Sequence, residues 1–249
     1  MLKLGHTTIW LDEAPSTNTL VLQTEDYIDR HGVVVVARRQ TAGRGRMGRT
    51  WHEFPGNQLY CSIVVHPDMA AADTPAIALI AGLAVVQTLA QVAGLAARLK
   101  WPNDVLIRGK KCTGILVESS PGRNGRSRLV IGIGVNCQGD TAALPEELQE
   151  RVTSVSQEVG RLIRPEDILQ ALLPTLDSLL ARLIAGEKSE LLIEWAKAAY
   201  FLGRWVLVPQ PSEATRGIVQ GITPEGYLVV EDIPGMRHII VSGELTWLD

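Results

Sequence analysis

Apolar and polar positions along this chain repeat with two different periods, and the switches between them outline its elements. Thr7 to Leu11 alternates as a short strand. Pro15-Ser16-Thr17-Asn18 opens a helical pattern that ends near His31-Gly32. Ser16 and Thr17 are N-cap residue types, and Gly32 suits the position just past a last turn. Val33 to Ala37 is apolar throughout, the pattern of a strand buried on both faces. Gln58 to Val65 reads as another strand. Ala76 to Ala97 carries no charge and has the length of a membrane span. However, Gln87, Thr88 and Gln91 fall on one helical face and much of the rest is alanine and glycine, which predicts a buried helix of a soluble domain. Val105 to Ile107 and Cys112 to Glu118 flank the turn Arg108-Gly109-Lys110 as a β-hairpin. Arg128 to Val135 is a strand in which Gly132 and Gly134 leave room for something to lie against the backbone. Ser154 caps and Gly160 stops a further helical stretch, and Pro165 to Ala185 and Ser189 to Tyr200 are amphipathic helices.

From Arg204 the texture changes to short β segments separated by turns at Pro224-Glu225-Gly226 and Pro234-Gly235. The pattern predicts an α+β body over residues 1–200 and a small β-barrel over 201–249.

Composition narrows the function classes. The 249 residues are 46% hydrophobic, with a formal net charge of −3 and a mean hydropathy of +0.10. That balance argues against wholesale electrostatic binding of nucleic acid. Cys61, Cys112 and Cys137 form no C-x-x-C pair, so they read as free thiols of a reducing cytoplasm, with neither disulfide nor zinc. The amino terminus lacks the apolar run of a signal peptide.

Against this acidic background, Arg30 to His52 contains six arginines and no carboxylate. Gly43, Gly45 and Gly48 separate Arg44, Arg46 and Arg49. Glycine lets a backbone bend and approach a ligand, and arginine's planar fork pairs with carboxylate or phosphate oxygens. Three glycines and mutually repelling arginines make a closed loop costly until an anion gathers them. The glycine spacing matches a dinucleotide-binding fingerprint, but that motif needs a helix next, whereas Trp51 to Asn57 is turn chemistry. There is no P-loop. A non-catalytic RNA-binding module is a rival reading. It would need a wider basic surface and more stacking aromatics than 5% of the residues supply.

Several separated motifs resemble, in order, those of the biotin protein ligases. They are Ser16-Thr17-Asn18, the run Gln40 to Arg49 (QTAGRGRMGR), Lys100-Trp101-Pro102-Asn103-Asp104, Lys111 to Glu118 (KCTGILVE), Gly132 to Asn136 (GIGVN) and Val152-Thr153-Ser154-Val155. The resemblance implies a mixed-sheet catalytic domain with helices on one side, followed by an SH3-like C-terminal β-barrel. It implies formation of biotinyl-5′-AMP from biotin and ATP, then transfer of biotin to a lysine of the biotin carboxyl carrier protein of acetyl-CoA carboxylase. Lipoate–protein or octanoate–protein ligase, of the same fold, is the related alternative.

By this resemblance, biotin would meet Ser16, Thr17, Asn18, Gln40, Gly43, Arg44, Gly45, Arg46, Trp51, Lys111 and Gly114. ATP would meet Arg44, Arg46, Arg49, Lys111 and Asn136, with Lys111 and Arg46 catalytic. The residue types suit this chemistry, since a carboxylate attacking a phosphate joins two anions, which cations must neutralise and align. Ser16, Asn18 and Gln40 offer neutral donors and acceptors to the uncharged ureido ring. Asp104 is the candidate for Mg²⁺ or its water shell. Some relatives carry a DNA-binding domain ahead of the catalytic one, for which the motif at residue 16 leaves no room. The expectation is therefore no DNA and no membrane partner, with a homodimer through the sheet among the forms relatives take.

Overall fold

The computed structural model describes residues 3–28, 30–67, 74–121, 127–210 and 213–248. A parallel pair starts the main sheet. β1 (Thr7–Ala14) is followed by α1 (Thr17–Gln23) and α2 (Glu25–Ile28), and this crossover returns the chain beside β1 as β2 (Val33–Gln40). Then follow β3 (Leu59–Val65), α3 (Thr74–Ala93), β4 (Arg98–Lys100), β5 (Asp104–Ile107), β6 (Lys110–Pro121) and β7 (Ser127–Val135). The seven strands lie in the order β1-β2-β3-β7-β6-β5-β4, and every pair after the first is antiparallel, so the sheet is mixed. Four helices follow: α4 (Glu146–Gln149), α5 (Val155–Val159), α6 (Pro165–Ile184) and α7 (Lys188–Ala198). A second, antiparallel sheet closes the chain with β8 (Trp205–Val208), β9 (Thr215–Ile222), β10 (Leu228–Glu231), β11 (Arg237–Ile240) and β12 (Thr246–Trp247), ordered β11-β10-β9-β8-β12.

Successive residues of β2 point to opposite faces, and each face finds its own cover. Val34 and Val36 join Ile63 and Ile131 in the large core beneath α3 and α6. Val33 and Val35 instead meet Val64, Val130 and Val21 of α1 in a smaller core. The expectation of helices on one side therefore describes the long helices, while α1 adds a short cover on the opposite face. α3 is apolar enough to cross a membrane by composition, but most of it is buried in the core.

Three boundaries differ from the pattern. The first helical stretch is broken at Thr24, whose extended backbone and Oγ1–H donating to Leu20 O end α1. α3 stops at Ala93 because Gly94 takes φ 65°, and residues 94–97, expected to prolong it, form an irregular link to β4. β1 runs three residues past Leu11, to Ala14, beside β2.

The small sheet is fastened to the segment just before β5. Trp101 Nε1 donates to Gly226 O at 3.0 Å. Lys100 Nζ lies 5.7 Å from the centroid of the Trp247 ring, which Tyr200 meets edge-on.

Candidate active site

β2 delivers the chain at Gln40 into the Gly/Arg segment, and that segment is a β-hairpin. Arg44 and Thr50 face each other as an antiparallel bridge. Trp51 N donates to Gly43 O at 2.9 Å, and Gly45 N to Arg49 O at 2.7 Å. At the tip, Met47 (φ 55°, ψ 36°) and Gly48 (φ 75°) are both left-handed, and Arg49 N donates to Arg46 O. This is the two-residue turn of type I′, whose twist matches paired strands.

The hairpin closes over a cavity of about 120 Å³. That is small beside the few hundred Å³ of an ordinary ligand pocket. The floor is made of strands β6 and β7, where the register sets Gly114 opposite Gly134 and Leu116 opposite Gly132. These glycines are needed for close approach: a Cβ on Gly114 would stand 2.4 Å from the Trp51 ring, and one on Gly132 would stand 2.4 Å from Asn18 Oδ1. Trp51 thus lies flat on the sheet, with Lys111 Nζ 5.3 Å from its ring centroid.

Beside the floor, the start of α1 is tied to its neighbours by polar contacts. Ser16 caps α1, its Oγ accepting from Thr19 N. Gln40 Oε1 accepts from both Thr17 N (2.8 Å) and Thr17 Oγ1 (3.3 Å), which fixes the amide and leaves Nε2 as its donor to the cavity. Asn18 is fully occupied by protein: Nδ2 donates to Leu116 O (3.1 Å) and Glu118 Oε2 (2.9 Å), and Oδ1 accepts from the buried Ser62 (2.5 Å). It stiffens the floor rather than offering free polar atoms.

The three loop arginines have three different fates. Arg44 lines the cavity, but its guanidinium reaches across α1, donating to Thr19 Oγ1 at 2.9 Å and pairing with Glu118. Arg49 pairs with Glu244, which reaches in from the small sheet's side and also lies 3.9 Å from Lys100. Only Arg46 has no acidic partner among the described residues, and it lines the cavity. Burial, and then repulsion by Arg49, pulls its pKa below the guanidinium's ordinary value. The anion expected to gather the loop is therefore already supplied, at two of three positions, by the protein's own carboxylates.

Lys111 Nζ stands 2.7 Å from Asp104 Oδ1, an ion contact without the angle of a hydrogen bond. Its backbone is held by the Val152 motif: Lys111 N donates to Arg151 O, and Thr153 N to Lys111 O. Asn136 is not brought to the cavity. Its Nδ2 donates to Thr153 O, and its own carbonyl accepts from Val155 N. Gly43 packs beneath Trp51 instead of lining the cavity. No cluster of three His, Cys, Asp or Glu residues able to hold a metal occurs among the described residues.

Tyr60, Glu244 and the pair Ser62 and Glu118 are parts of the site that sequence reasoning missed in these roles. Tyr60 lines the cavity, its hydroxyl pushed up to about 12 by burial. Glu118 closes the motif that Lys111 opens, and that position was its only signal. Glu244 lies far along the chain from everything it touches, so nothing local announces it. Cys61 also lines the cavity, but burial pushes its thiol up to about 12, which leaves it unreactive.

Residues 10–136 match the model of the biotin/lipoate A/B protein ligase family, and residues 201–244 match that of the biotin protein ligase C-terminal domain. The chain is 33% identical over 236 residues to the bifunctional ligase/repressor BirA of Bacillus subtilis, spanning 95% of this chain and 73% of that protein. It is 35% identical over 215 residues to the biotin–[acetyl-CoA-carboxylase] ligase of Paracoccus denitrificans, spanning 85% and 88%. Among solved structures, the biotin protein ligase of Aquifex aeolicus in complex with biotin and ATP superposes with a TM-score of 0.84 at 28% identity, covering 97% of this chain and 98% of that one. A glycine-built floor, a closing arginine hairpin and sequence likeness over nearly the whole length agree: the chain belongs to the biotin/lipoate protein ligase family.

Proposed function

We propose that this cavity performs both half-reactions of protein biotinylation, and the observation that carries the reading is Arg46 and Lys111 facing one closed, glycine-floored space. The protein is a biotin–[acetyl-CoA-carboxylase] ligase. A carboxylate oxygen of biotin attacks the α-phosphorus of ATP, and pyrophosphate leaves. The ε-amine of a carrier lysine then attacks the acyl carbon of biotinyl-5′-AMP, losing a proton as AMP departs.

Lys111 holds the biotin carboxylate against the α-phosphate, where two anions must meet. Its contact with Asp104 keeps the ammonium in place before substrate arrives. Arg46 takes the phosphate, because it is the loop arginine without an ion pair among the described residues. Gln40 Nε2 and Ser16 Oγ face the ureido ring, and Trp51 walls the ring system. Asp104, a single mostly buried carboxylate, suits a Mg²⁺ that arrives on ATP with its waters and phosphate ligands, not one caged by protein. Such an ion would offset the triphosphate's charge.

The carrier domain of a carboxylase is the protein partner. The acidic net charge supports action without DNA, and the three free, buried thiols suit the cytoplasm. Pairing of two copies through the open edge of β1 is the dimer the sheet allows.

ATP–pyrophosphate exchange with biotin, lipoate and octanoate side by side tests the reading. Exchange driven by biotin alone is expected. Exchange driven by lipoate or octanoate in preference to biotin would overturn it.

A further inference from the structure

Glu118 joins the floor of the cavity to its lid, bonding to Asn18 on the one side and to Arg44 on the other. It lies on β6 opposite Val130 of β7, with its side chain 22% exposed. Its two oxygens are divided between elements far apart in sequence. Oε2 accepts from Asn18 Nδ2 at 2.9 Å, and Oε1 pairs with Arg44 Nη2 of the hairpin.

The Asn18 side of this contact is rigid. Asn18 is buried, its other Nδ2 hydrogen goes to Leu116 O, and its Oδ1 is held by Ser62 over the space that Gly132 leaves open. The Arg44 side is softer. Arg44 is 43% exposed, and its remaining contact is a single bond to Thr19 Oγ1. One carboxylate thus fastens a loosely held element to a fixed one.

We infer that Glu118 is a positioning residue for this ligase: it latches the arginine hairpin down through Arg44, freeing Arg46 to hold the adenylate instead of holding the loop. The inference rests on the biotin-activating reading above. It makes Arg44 and Arg46 unlike in role despite their shared motif, with Arg44 as strap and Arg46 as phosphate contact. Glutamine at position 118 keeps the size but cannot accept from both partners, since its amide nitrogen would face one of two donors. The lid would then open more often while the residues that make the adenylate stay in place.

The test uses the full chain, with Glu118→Gln, Arg44→Gln and the double variant. Adenylate is formed in a single turnover from biotin and ATP, and two rates are followed: synthesis, and escape of biotinyl-AMP read as labelling of a bystander protein lacking the carrier fold. Synthesis is expected to stay within about threefold of wild type in Glu118→Gln, which leaves every residue assigned to biotin or ATP in place. Escape is expected to rise about two- to fivefold in each single variant, the effect of losing one partly exposed ion pair. The double variant is expected to leak no more than either single one, because both remove the same contact. A residue that merely held α1 on the sheet would lower thermal stability without raising escape. Arg44→Gln, at an exposed loop position, keeps the test usable should Glu118→Gln fold poorly. Escape unchanged in Arg44→Gln, or additive effects in the double variant, would overturn the inference. Absence of biotin-driven exchange in the wild type would instead overturn the function itself.

Discussion

The floor of the cavity and its lid are built from opposite materials. The floor is backbone ladder: β6 and β7 pair at nine positions, and the side chains resting on them, Trp51 and Asn18, fit where Gly114 and Gly132 remove a Cβ. The polar atoms of Asn18 are paired within the protein and buried, so this part of the floor changes little when a ligand arrives. The lid is a hairpin held at its two ends by ion pairs that are a fifth to a half exposed, Arg44 with Glu118 and Arg49 with Glu244. Exposed pairs contribute little each, on the order of 0–1 kcal/mol. Under the proposed function, a rigid floor would preorganise the reacting groups, while a marginal lid would admit substrates and set how long the adenylate stays. Substitutions in the floor should therefore alter binding or chemistry, and those in the lid should alter retention.

Lys111→Ala should have the largest effect, lowering adenylate synthesis by about 10²–10³ with biotin affinity changed far less. The ammonium acts where two anions approach, so its loss falls on the transition state. The substitution also leaves Asp104 buried without its partner. Lys111→Ala with Asp104→Asn removes that penalty and should recover thermal stability but no activity. Single-turnover synthesis near the wild-type rate in either variant would assign Lys111 to structure alone. Arg46→Gly should come next. Synthesis continues, but loss of a charge-assisted contact of about 1.5–3 kcal/mol speeds adenylate escape roughly 10- to 150-fold. Bystander labelling no greater than wild type would remove Arg46 from the retention role.

Gly114→Ala tests the floor directly. The new methyl would meet the Trp51 ring at 2.4 Å, so the indole must lift from the sheet. Overpacking of this kind costs about 1–3 kcal/mol, or roughly 5- to 150-fold in biotin affinity. Calorimetry with biotin alone should show it, and escape of preformed adenylate should change less than in Arg46→Gly. The reverse order would mean that the floor is the moving part.

The same division explains what the sequence disclosed. Strands and long helices were legible because their burial is periodic: the valines of β2 and the alternation of β9 announce themselves locally. The glycines of the floor and the arginines of the lid were legible as types, since close approach and charge pairing need those residues. Their partners were not. Glu118, Ser62 and Glu244 gain their meaning only when β6, β3 and the small sheet are brought against the hairpin, and no periodicity encodes which cation a distant carboxylate will meet. For that reason, of three arginines alike in sequence, two are paired with carboxylates and Arg46 has no ion pair among the described residues. Asn136, likewise, lies outside the cavity and ties β7 to the segment leading into α5, a contact its motif does not announce.

The smallest effect should come from the tip of the lid. Met47 sits at the first central position of a type I′ turn with φ 55°, a conformation that costs an ordinary L residue roughly 1–2 kcal/mol. Its side chain is 72% exposed, so replacing it gives up little packing. Asparagine is favoured in this position, and Asn-Gly is the preferred pair for such a turn. Met47→Asn should recover part of the strain, about 0.5–1 kcal/mol, favouring the closed hairpin and slowing adenylate escape roughly two- to fivefold. Met47→Val should do the opposite, because a β-branched side chain tolerates positive φ worst. Neither substitution touches the cavity floor, so the rate of adenylate synthesis should stay at the wild-type value in both. Measuring escape in the pair gives a sign as well as a size. If valine and asparagine shift it in the same direction, the turn's backbone does not control the lid, and the hairpin is held by its two ion pairs alone.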